Sequence, residues 1–576
     1  MTNAGFRDFR FGGSLSTPTG EKPESKLWWN DGSWWGSLWD PNASSYAIHR
    51  LDLDTQSWVS TGTLVDTRSS SRADALWDGD HLYIVSHIFT TNAGSTGSGN
   101  SGRLYRYAYH AGTRSYSLDP GFPVNVNASK SEALVLAKDS SGRLWVTWVE
   151  GGKVKVNRTL GDDLSWGQPF DLPGQGADVT TDDISGIAAF GTDRVGLMWS
   201  NQADHKMYFA AHLDGGADMQ WEPREDALAD ATLGQMADDH INLKMSCDGS
   251  GAVYAVTKTG LTHATDPLVL VLRRQAGGAW SRHVFGTVAE NHTRPILCID
   301  RDAGTAYVFA MSDRTGRRVI YEKRASLADL GFPSGLGTPF IDSPDDPAVS
   351  NPTSTKQCVG RASGLVVLAS DQDTQYYLHN YLSLVPPPSI ASFVPTDGPV
   401  GGEVTLTGTG FSGATAVEFN GTPAASYIVD SDAQIRATVP PGATTGRIVV
   451  TTPAGSGLSG SDFTVILSPT TTVLQSSANP STWGAQVVLE ATVAPAAATG
   501  TVRFFDGVTP LGTAPVSGGL ATLSVNTLAV GQHELTASYD GGAWYAGSSS
   551  APWSQAVDFA STTAVLDAQP AETHCA

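Results

Sequence analysis

Residues 237–244, with the sequence ADDHINLK, concentrate side chains that acid–base chemistry uses. In an extended strand, successive side chains alternate between two faces, so His240, Asn242 and Lys244 would share one face. Imidazole titrates near neutral pH, which makes His240 a candidate general acid or base, and Lys244 would place a positive charge beside it. A histidine at a strand end also serves often as a structural hydrogen-bonding group, and that alternative stays open.

Similar polar positions recur along the first 385 residues, for example in NHTRP (291–295) and NPTSTKQ (351–357). Aromatic faces stack on sugar rings, while charged forks bind hydroxyls and carboxylates. The predicted catalytic residues are His240, His87 and Glu150. The predicted substrate-binding residues are Arg72, Asp74, Trp148, Trp199, Asn201, Asn242, Lys244, Lys258, Arg294, Lys356 and Asp371. The competing interpretation is that these are solvated rim and channel-wall residues.

A repeat with a period of about 45 to 60 residues must position these side chains. Each of seven copies begins with a short apolar strand, then a turn, a stronger strand and two weaker strands, which is the pattern of a seven-bladed β-propeller. In the last copy the first two strands are expected at 353–359 and 365–371. That copy has no obvious fourth strand, so residues 6–11 (FRDFRF) are predicted to pair there and remove the free edge.

The overall composition supports an all-β protein. The 576 residues include 62 Gly, 31 Pro, 16 Trp and 16 Tyr, with only 16% charged residues, which suits short strands and frequent turns. The net charge of −21 argues against a nucleic-acid partner. The sequence contains no run of 18 apolar residues, so no membrane-spanning segment is expected. No signal-peptide core follows Met1. The expected protein is a monomer, secreted or at the cell surface.

The composition changes at the proline run 386–388, beyond which the chain has three Arg and no Lys. Such a run is typical of an inter-domain linker. The predicted domains are 1–385 for the propeller, 386–466 and 467–558 for two immunoglobulin-like sandwiches, and 559–576 for a truncated next repeat or a tail.

The segment after the linker resembles an IPT/TIG domain through PSIASFVPTDGPVGGEVTLTGTGFSGATAVEFNG (388–421). We expect Gly401-Gly402 and Gly408/Gly410 to turn the chain there, and Phe411 and Phe419 to supply the sandwich core. Residues 468–557 resemble a bacterial Ig-like repeat through GTVRFFDG (500–507) and GQHELTASYDG (531–541). STTAVL (561–566) echoes SPTTTVL (468–474). These resemblances imply spacers or adhesive stalks.

Residues 6–385 resemble the BNR or sialidase-like propellers. The segments nearest to their Asp-box are LDLDTQSW (51–58) and DDLSW (162–166), which lack its glycine turn, and only Arg72 and Arg294 stand where sialidases place three arginines. Several uronate-specific polysaccharide lyases are also seven-bladed propellers with a histidine or tyrosine base. By analogy, the chain would be a lyase or a glycoside hydrolase.

Three functions therefore remain open: a protein that binds a glycan or extracellular polysaccharide through the propeller face, a carbohydrate-active enzyme acting there, or a purely adhesive protein. No cofactor is expected, although the Asp-rich turns at 52–54 and 342–346 offer carboxylates of the kind that a structural calcium takes. Cys298, Cys358 and Cys247 are expected to be buried thiols between blades, with a cross-blade disulfide as the alternative.

Overall fold

Strands and turns make up the described part of the chain, apart from one 3₁₀ turn at Val288–Glu290. The computed structural model describes residues 4–12, 15, 17–20, 23–91, 99–245 and 250–561. The chain divides into two units, Met1–Val385 and Pro386–Ala576. No helix within the described ranges has the length and hydropathy that a bilayer crossing requires.

The described residues of the first unit form seven sheets, here called blades 1 to 7. One strand, β1 (Phe6–Arg10), precedes them. Blade 1 contains β2 (Leu27–Asn30), β3 (Ser33–Asp40), β4 (Ser45–Asp52) and β5 (Ser57–Leu64). Blade 2 contains β6 (Ser71–Trp77), β7 (His81–Ile88), β8 (Arg103–His110), β9 (Ser115–Leu118) and β10 (Val124–Asn125). Blade 3 contains β11 (Val135–Lys138), β12 (Leu144–Glu150), β13 (Lys153–Arg158) and β14 (Phe170–Asp171).

The remaining blades follow the same antiparallel order. Blade 4 contains β15 (Ser185–Phe190), β16 (Arg194–Asn201), β17 (Lys206–Leu213) and β18 (Glu225–Leu228). Blade 5 contains β19 (Ile241–Met245), β20 (Val253–Lys258), β21 (Pro267–Arg274) and β22 (Trp280–Thr287). Blade 6 contains β23 (Thr293–Asp300), β24 (Thr305–Ser312), β25 (Val319–Ser326) and β26 (Thr338–Ile341). Blade 7 contains β27 (Val349–Thr353), β28 (Leu365–Asp371) and β29 (Tyr376–Leu382).

The first strand of each blade is the innermost one, and these strands contact each other in ring order. Strand β2 packs on β6, β6 on β11, and so on through β15, β19, β23 and β27. The ring then returns to blade 1, because the backbone N–H of Leu27 donates to Ser354 O at 3.1 Å and that of Lys26 to Thr353 Oγ1 at 3.2 Å. The fold is therefore a β-propeller, as the repeat predicts.

Strand β1 completes blade 7, which confirms the predicted closure. It pairs antiparallel with β29, with Phe6 opposite His379 and Arg10 opposite Tyr376. Asp8 Oδ2 also accepts the backbone N–H of Trp58 in blade 1 at 2.8 Å. The N-terminal strand thus covers the outer edge of β29 and ties blade 7 to blade 1, which leaves no unpaired edge on that strand.

The innermost strand of blade 7 lies earlier in the chain than expected. It is Val349–Thr353, whereas the sequence placed it at 353–359. The register shifts between Ser350 and Thr353, and Asn351 adopts a left-handed φ of 55°. Asn351 precedes a proline, and this local bulge hides the strand from a period-2 pattern. Lys356 therefore follows the strand rather than beginning it.

The blades pack through aromatic side chains that the alternating pattern turns inward. Trp34, Trp35 and Trp145 are fully buried, and one continuous core cluster extends through blades 6, 7, 1 and 2. Since an indole or phenol ring buries a large apolar area, such rings fill the wedge between twisted sheets and stabilise the ring.

The second unit contains two sandwiches. The first has sheets built from β30 (Ser389–Val394), β31 (Asp397–Pro399), β32 (Glu403–Thr409), β33 (Ala416–Phe419), β34 (Thr422–Pro423), β35 (Ser426–Ser431), β36 (Gln434–Thr438), β37 (Gly446–Thr452) and β38 (Gly455–Ile466). The second has sheets built from β39 (Thr471–Ser476), β40 (Ser481–Thr482), β41 (Val487–Ala494), β42 (Gly500–Asp506), β43 (Thr509–Val516), β44 (Leu520–Val525), β45 (Gly531–Tyr539), β46 (Ser548–Ser549) and β47 (Trp553–Asp558).

In the first sandwich, Phe411 and Phe419 are buried in the core, as predicted. Gly410 has a φ of 73° and turns the chain. Gly408 has another role, because it lies inside β32 and a Cβ there would stand 1.9 Å from Ser389 O. It is needed for close approach of two strands rather than for a turn. Most of the predicted tail, residues 562–576, lies outside the described residues.

The cysteines and Asp-rich turns are structural. Cys298 is a free buried thiol, but Cys358 is disulfide-bonded, so the reduced-thiol prediction is wrong for Cys358; Cys247 lies outside the described residues. Asp52 Oδ1 accepts the backbone N–H of Asp54 at 2.9 Å. Asp342 accepts two hydrogen bonds from Arg317, at 2.7 and 2.8 Å. Protein donors therefore occupy both carboxylates.

We expect the propeller to lose stability as the pH falls from about 6.5 to about 4. His379 and His292 are fully buried, and burial lowers the pKa of each to about 4. In that window the unfolded chain binds more protons than the folded chain, so acid favours unfolding by about 3 kcal/mol per histidine. Urea unfolding followed by tryptophan fluorescence at pH 7 and pH 4.5 measures the difference.

The matched variants for this acid sensitivity are His379→Phe and His263→Asn. His379 stacks on Phe6 at 5.6 Å, so a phenyl ring keeps its packing while removing the titration, and the variant should lose part of the acid sensitivity. His263 has an 88% exposed side chain, and its replacement should change nothing. An unchanged pH slope in His379→Phe would contradict the assignment.

Candidate functional site

Three carboxylates from neighbouring blades converge at one end of the propeller. Glu132 precedes β11, Asp182 precedes β15 and Asp239 precedes β19. Innermost strands run in the same direction around a propeller, so their starting residues meet. One oxygen of each carboxylate lies within 4.8 Å of the others. Glu132 is buried, Asp239 is half-buried and Asp182 is exposed, so the cluster opens to solvent.

His240 stands beside this cluster and is fixed by acidic partners. Its Nδ1 lies 2.5 Å from Asp238 Oδ1 and 2.7 Å from Asp239 Oδ1. Its Nε2 lies 3.3 Å from Thr293 Oγ1 of blade 6, and Lys258 Nζ donates to Asp238 Oδ2 at 2.8 Å. The two carboxylates hold the proton on Nδ1 and direct Nε2 away from them. The structure thus brings His240 and Lys258, two of the predicted site residues, to the same carboxylate, Asp238, and their roles in catalysis and binding stay predictions.

We call Glu132, Asp182, Asp238, Asp239 and His240 the acidic end. Its carboxylates are fixed hydrogen-bond acceptors, and oxygen ligands at this spacing are also those that calcium takes. A carboxylate-oriented imidazole next to further carboxylates can transfer protons.

Sequence reasoning missed Asp182 and Asp238, although both belong to Asp-Asp pairs directly before an innermost strand. In the pair Asp182-Asp183 the two side chains point in different directions, as alternation requires, whereas Asp238 and Asp239 both contact His240. Asp183 turns inward and accepts the backbone N–H of Thr180 at 2.8 Å, whereas Asp182 stays exposed. Two consecutive aspartates before an innermost strand were therefore the sequence signal from which the second carboxylate could have been identified.

His87 is at the same end of its blade but is buried away from solvent. Its Nε2 lies 2.6 Å from Glu24 Oε1 and its Nδ1 lies 3.0 Å from Ser131 O. Glu24 also pairs with Lys26 at 2.7 Å. Because both ring nitrogens are bonded and the side chain is 0% exposed, the prediction of His87 as a catalytic base is wrong.

Glu24, Lys26, His87 and Asp74 form a buried polar group between blades 1, 2 and 3; we call it the channel plug. Asp74 accepts the backbone N–H groups of Ser25 at 2.9 Å and Leu136 at 2.8 Å. Burial raises the pKa of Asp74, although an ion pair with Lys356 opposes that effect. Asp74 is fully buried, so it is part of the fold rather than a residue exposed to substrate.

The indoles of Trp148 and Trp199 are not available for stacking on a sugar. Both are at most 1% exposed. Trp148 Nε1 donates to Glu150 Oε2 at 2.8 Å, and Trp199 Nε1 donates to Gly176 O at 2.7 Å. The predicted binding role is wrong for both, because their large apolar faces pack between blades. Glu150 remains partly exposed at the end of β12 and holds Trp148 in place.

Four other predicted binding residues are also occupied by the fold. Asn201 donates to Gly176 O and Asp178 O, and Asn242 accepts the backbone N–H of Leu297 at 3.1 Å, which links blades 5 and 6. The others are Asp371, which accepts two backbone N–H groups of its own turn and that of Ala348, and Arg72, which donates to Ser71 O and Thr17 Oγ1. All four are at most 5% exposed. Buried polar groups require such partners, so the substrate-binding prediction is wrong for them.

Arg294 lies at a bulge at the start of β23 and has a left-handed φ of 53°. It stays partly exposed, next to Thr293. Bulges redirect side chains near sites, so Arg294 remains a candidate at the edge of the acidic end.

Lys244 and Lys356 face the opposite end of the channel. Lys244 Nζ donates to Thr355 O at 2.6 Å, and Lys356 forms an ion pair with Asp74 of the channel plug. Both side chains line a cavity at the far ends of the innermost strands. The predicted trio of His240, Asn242 and Lys244 is therefore split along the length of β19.

Both sandwiches match known domain families. Residues 388–465 match the IPT/TIG domain. Residues 474–558 match the bacterial Ig-like domain (group 3). The resemblances carried by the glycine-rich segment 388–421 and by residues 500–541 are confirmed. The search of curated proteins found no match.

Solved structures similar to this chain include propeller enzymes. The catalytic domain of the Coprinopsis cinerea GH62 α-L-arabinofuranosidase is 10% identical, over 53% of this chain and 88% of its own, with a TM-score of 0.29. The polysaccharide lyase Uly1 is 11% identical, over 72% and 90%, with a TM-score of 0.33. The exo-β-1,3-galactanase from Phanerochaete chrysosporium is 13% identical, over 82% and 93%, with a TM-score of 0.29. At these identities and scores, the activity of this chain must be argued from its own residues.

Proposed function

We propose that the propeller binds a polysaccharide at the acidic end, and that the IPT/TIG and bacterial Ig-like domains form the stalk of an extracellular or surface protein. The observation that supports this proposal is the convergence of Glu132, Asp182 and Asp239 from three blades beside His240. Sugar hydroxyls are donors, and fixed carboxylates are strong acceptors for them. A polysaccharide also suits a site at an open propeller end, where a chain can extend over neighbouring blades.

The charge of the acidic end favours a neutral polysaccharide over an acidic one. Four carboxylates of the acidic end face one histidine and two cations, which are Lys258, already paired with Asp238, and Arg294 at the edge, so negative charge remains in excess. A polyuronate would bring further negative charge to this cluster, and like charges in a partly dehydrated site repel. The predicted cations Lys244 and Lys356 cannot offset this repulsion, since they lie at the other end of the channel.

Hydrolysis of that polymer is the second candidate function. Glycoside hydrolases use two carboxyl groups, one to protonate the leaving oxygen and one to act as nucleophile or base, and in retaining enzymes the two groups are about 5 Å apart. The spacing among Glu132, Asp182 and Asp239 suits that chemistry. The solvent-facing pair Asp182 and Asp239 would be the reacting groups, with His240 positioning Asp239.

Incubating the full chain with a panel of neutral and acidic polysaccharides tests both candidates. Affinity electrophoresis reports retention, reducing-end assays report hydrolysis, and the absorbance of unsaturated uronates reports lyase activity. We expect retention by a neutral polymer, weakened by Asp182→Asn. Release of reducing ends would show that the protein also hydrolyses the polymer. Unsaturated uronates, or no retention by any neutral polymer, would overturn the proposal; loss of retention on removing the Ig-like domains alone would favour an adhesive stalk instead.

A further inference from the structure

A cavity of about 520 Å³ occupies the channel end opposite the acidic end. It lies where the innermost strands finish, beside Trp77 at the end of β6 and Lys138 at the end of β11. Its wall is mainly apolar, with Trp28, Leu76, Ile187 and Leu243 among the lining residues. The volume is in the range that holds a small organic ligand.

Three lysines line this cavity, and one of them lacks a carboxylate partner among the described residues. Lys138 pairs with Asp78 at 2.5 Å, and Lys356 pairs with Asp74. Lys244 makes one hydrogen bond, to Thr355 O at 2.6 Å, although it is only 6% exposed. A buried ammonium without an anionic partner is costly. Burial accordingly lowers the pKa of Lys244 to about 8.

We propose that this cavity binds a small organic acid, with its carboxylate on the Lys244 ammonium and its apolar body against Trp77, Leu76 and Leu243. The carboxylate of such a ligand supplies the anion that Lys244 lacks, and its apolar body covers the apolar wall. One ligand can make both contacts because the ammonium and the apolar wall line the same cavity. A sugar chain would satisfy neither, because its hydroxyls would be buried against carbon. The inference is independent of the polysaccharide site, since the two sites lie at opposite ends of the innermost strands.

The neighbours of Lys244 favour a single anionic group at this position. Lys356 adds positive charge nearby, and it shares Asp74 with the plug. Lys244 and Lys356 together carry one more positive charge than Asp74 balances. One carboxylate therefore neutralises this pair of lysines, whereas the second charge of a dianion would meet Asp78 and Asp139, which line the same cavity.

Calorimetric titration of the full chain with 3-phenylpropanoate and with its neutral amide tests the inference. We expect the acid to bind and the amide to bind at least about tenfold more weakly, as for loss of a charge-assisted hydrogen bond. Lys244→Met keeps the length of the side chain and should weaken binding of the acid by a similar factor. Lys153→Met is the matched control, because Lys153 lies outside the cavity and pairs with the exposed Asp178, and it should leave the affinity unchanged.

A second variant keeps the test decisive if Lys244→Met does not fold. Ala188 lines the cavity and is half-buried, so Ala188→Phe should fill the space and abolish binding of the acid without touching the lysine. Equal affinities for acid and amide, or unchanged binding in Lys244→Met or Ala188→Phe with an unchanged melting temperature, would overturn the proposal. So would the absence of binding to the wild-type chain at millimolar acid.

Discussion

Replacing Glu24 with alanine should destabilise the propeller by about 3–5 kcal/mol. Glu24 is the buried anion that faces both Lys26 at 2.7 Å and His87 at 2.6 Å, and its removal leaves a buried ammonium without its carboxylate. Burial alone would raise the pKa of Glu24, but Lys26 and His87 lower it to about 2. Urea unfolding of the full chain, followed by tryptophan fluorescence, measures the loss.

Glu24→Gln is the matched control for this prediction. A glutamine keeps the volume and one acceptor oxygen, so it should cost less than alanine while still losing the ion pair. The Glu24 contribution is present above pH 4.5 and is lost as the pH falls through about 2, so the difference between wild type and Glu24→Gln should shrink in acid. Equal stability of Glu24→Ala and wild type at pH 7 would show that the plug does not hold the blades together.

Asp239→Asn should weaken polysaccharide binding at least about tenfold, as expected for removing a charged acceptor from a bound hydroxyl. Asp239 is the residue shared by the carboxylate cluster and His240, so one substitution removes both an acceptor and a histidine partner. Affinity electrophoresis with the polysaccharide that retains the wild-type protein measures the change in affinity. If the protein cleaves that polymer, turnover should fall more than binding, because proton transfer depends on His240 as well.

Asp80→Asn is the control for a merely electrostatic effect. Asp80 is 87% exposed in the turn between β6 and β7, away from the acidic end, and its loss changes the net charge by the same amount. We expect unchanged retention for Asp80→Asn. Equal weakening of both variants would mean that net charge, rather than the geometry of the acidic end, controls binding.

Much of the fold could be predicted because it depends on local patterns. The repeat of a short apolar strand, a turn and a stronger strand located the innermost strands of six blades, and the missing fourth strand of the last copy pointed to residues 6–11 as its partner. Blade 7 was the exception, since the bulge at Asn351 breaks the alternation. Because this one strand boundary was misplaced, Lys356 was predicted at the wrong end of the channel.

The site was predicted less well than the fold. His240 and Lys258 both stand at strand ends that a propeller gathers at one side, and both contact Asp238. Sequence reasoning could not separate His240, which remains at the acidic end, from His87, which the connector carrying Glu24 covers. That connector comes from a part of the chain remote from blade 2, so nothing near His87 in the sequence signals its burial.

The sequence by itself determined the β class, the propeller repeat with its closing strand, and the two Ig-like domains, because each rests on spacing within a short segment. Tertiary structure alone decided which polar groups remain accessible. Burial and pairing depend on contacts between residues distant in sequence: Glu24 on His87, Lys356 on Asp74, and the carboxylates of three blades on one another. Strand alternation gives the side of a sheet to which a residue belongs, but only packing shows what already occupies that side.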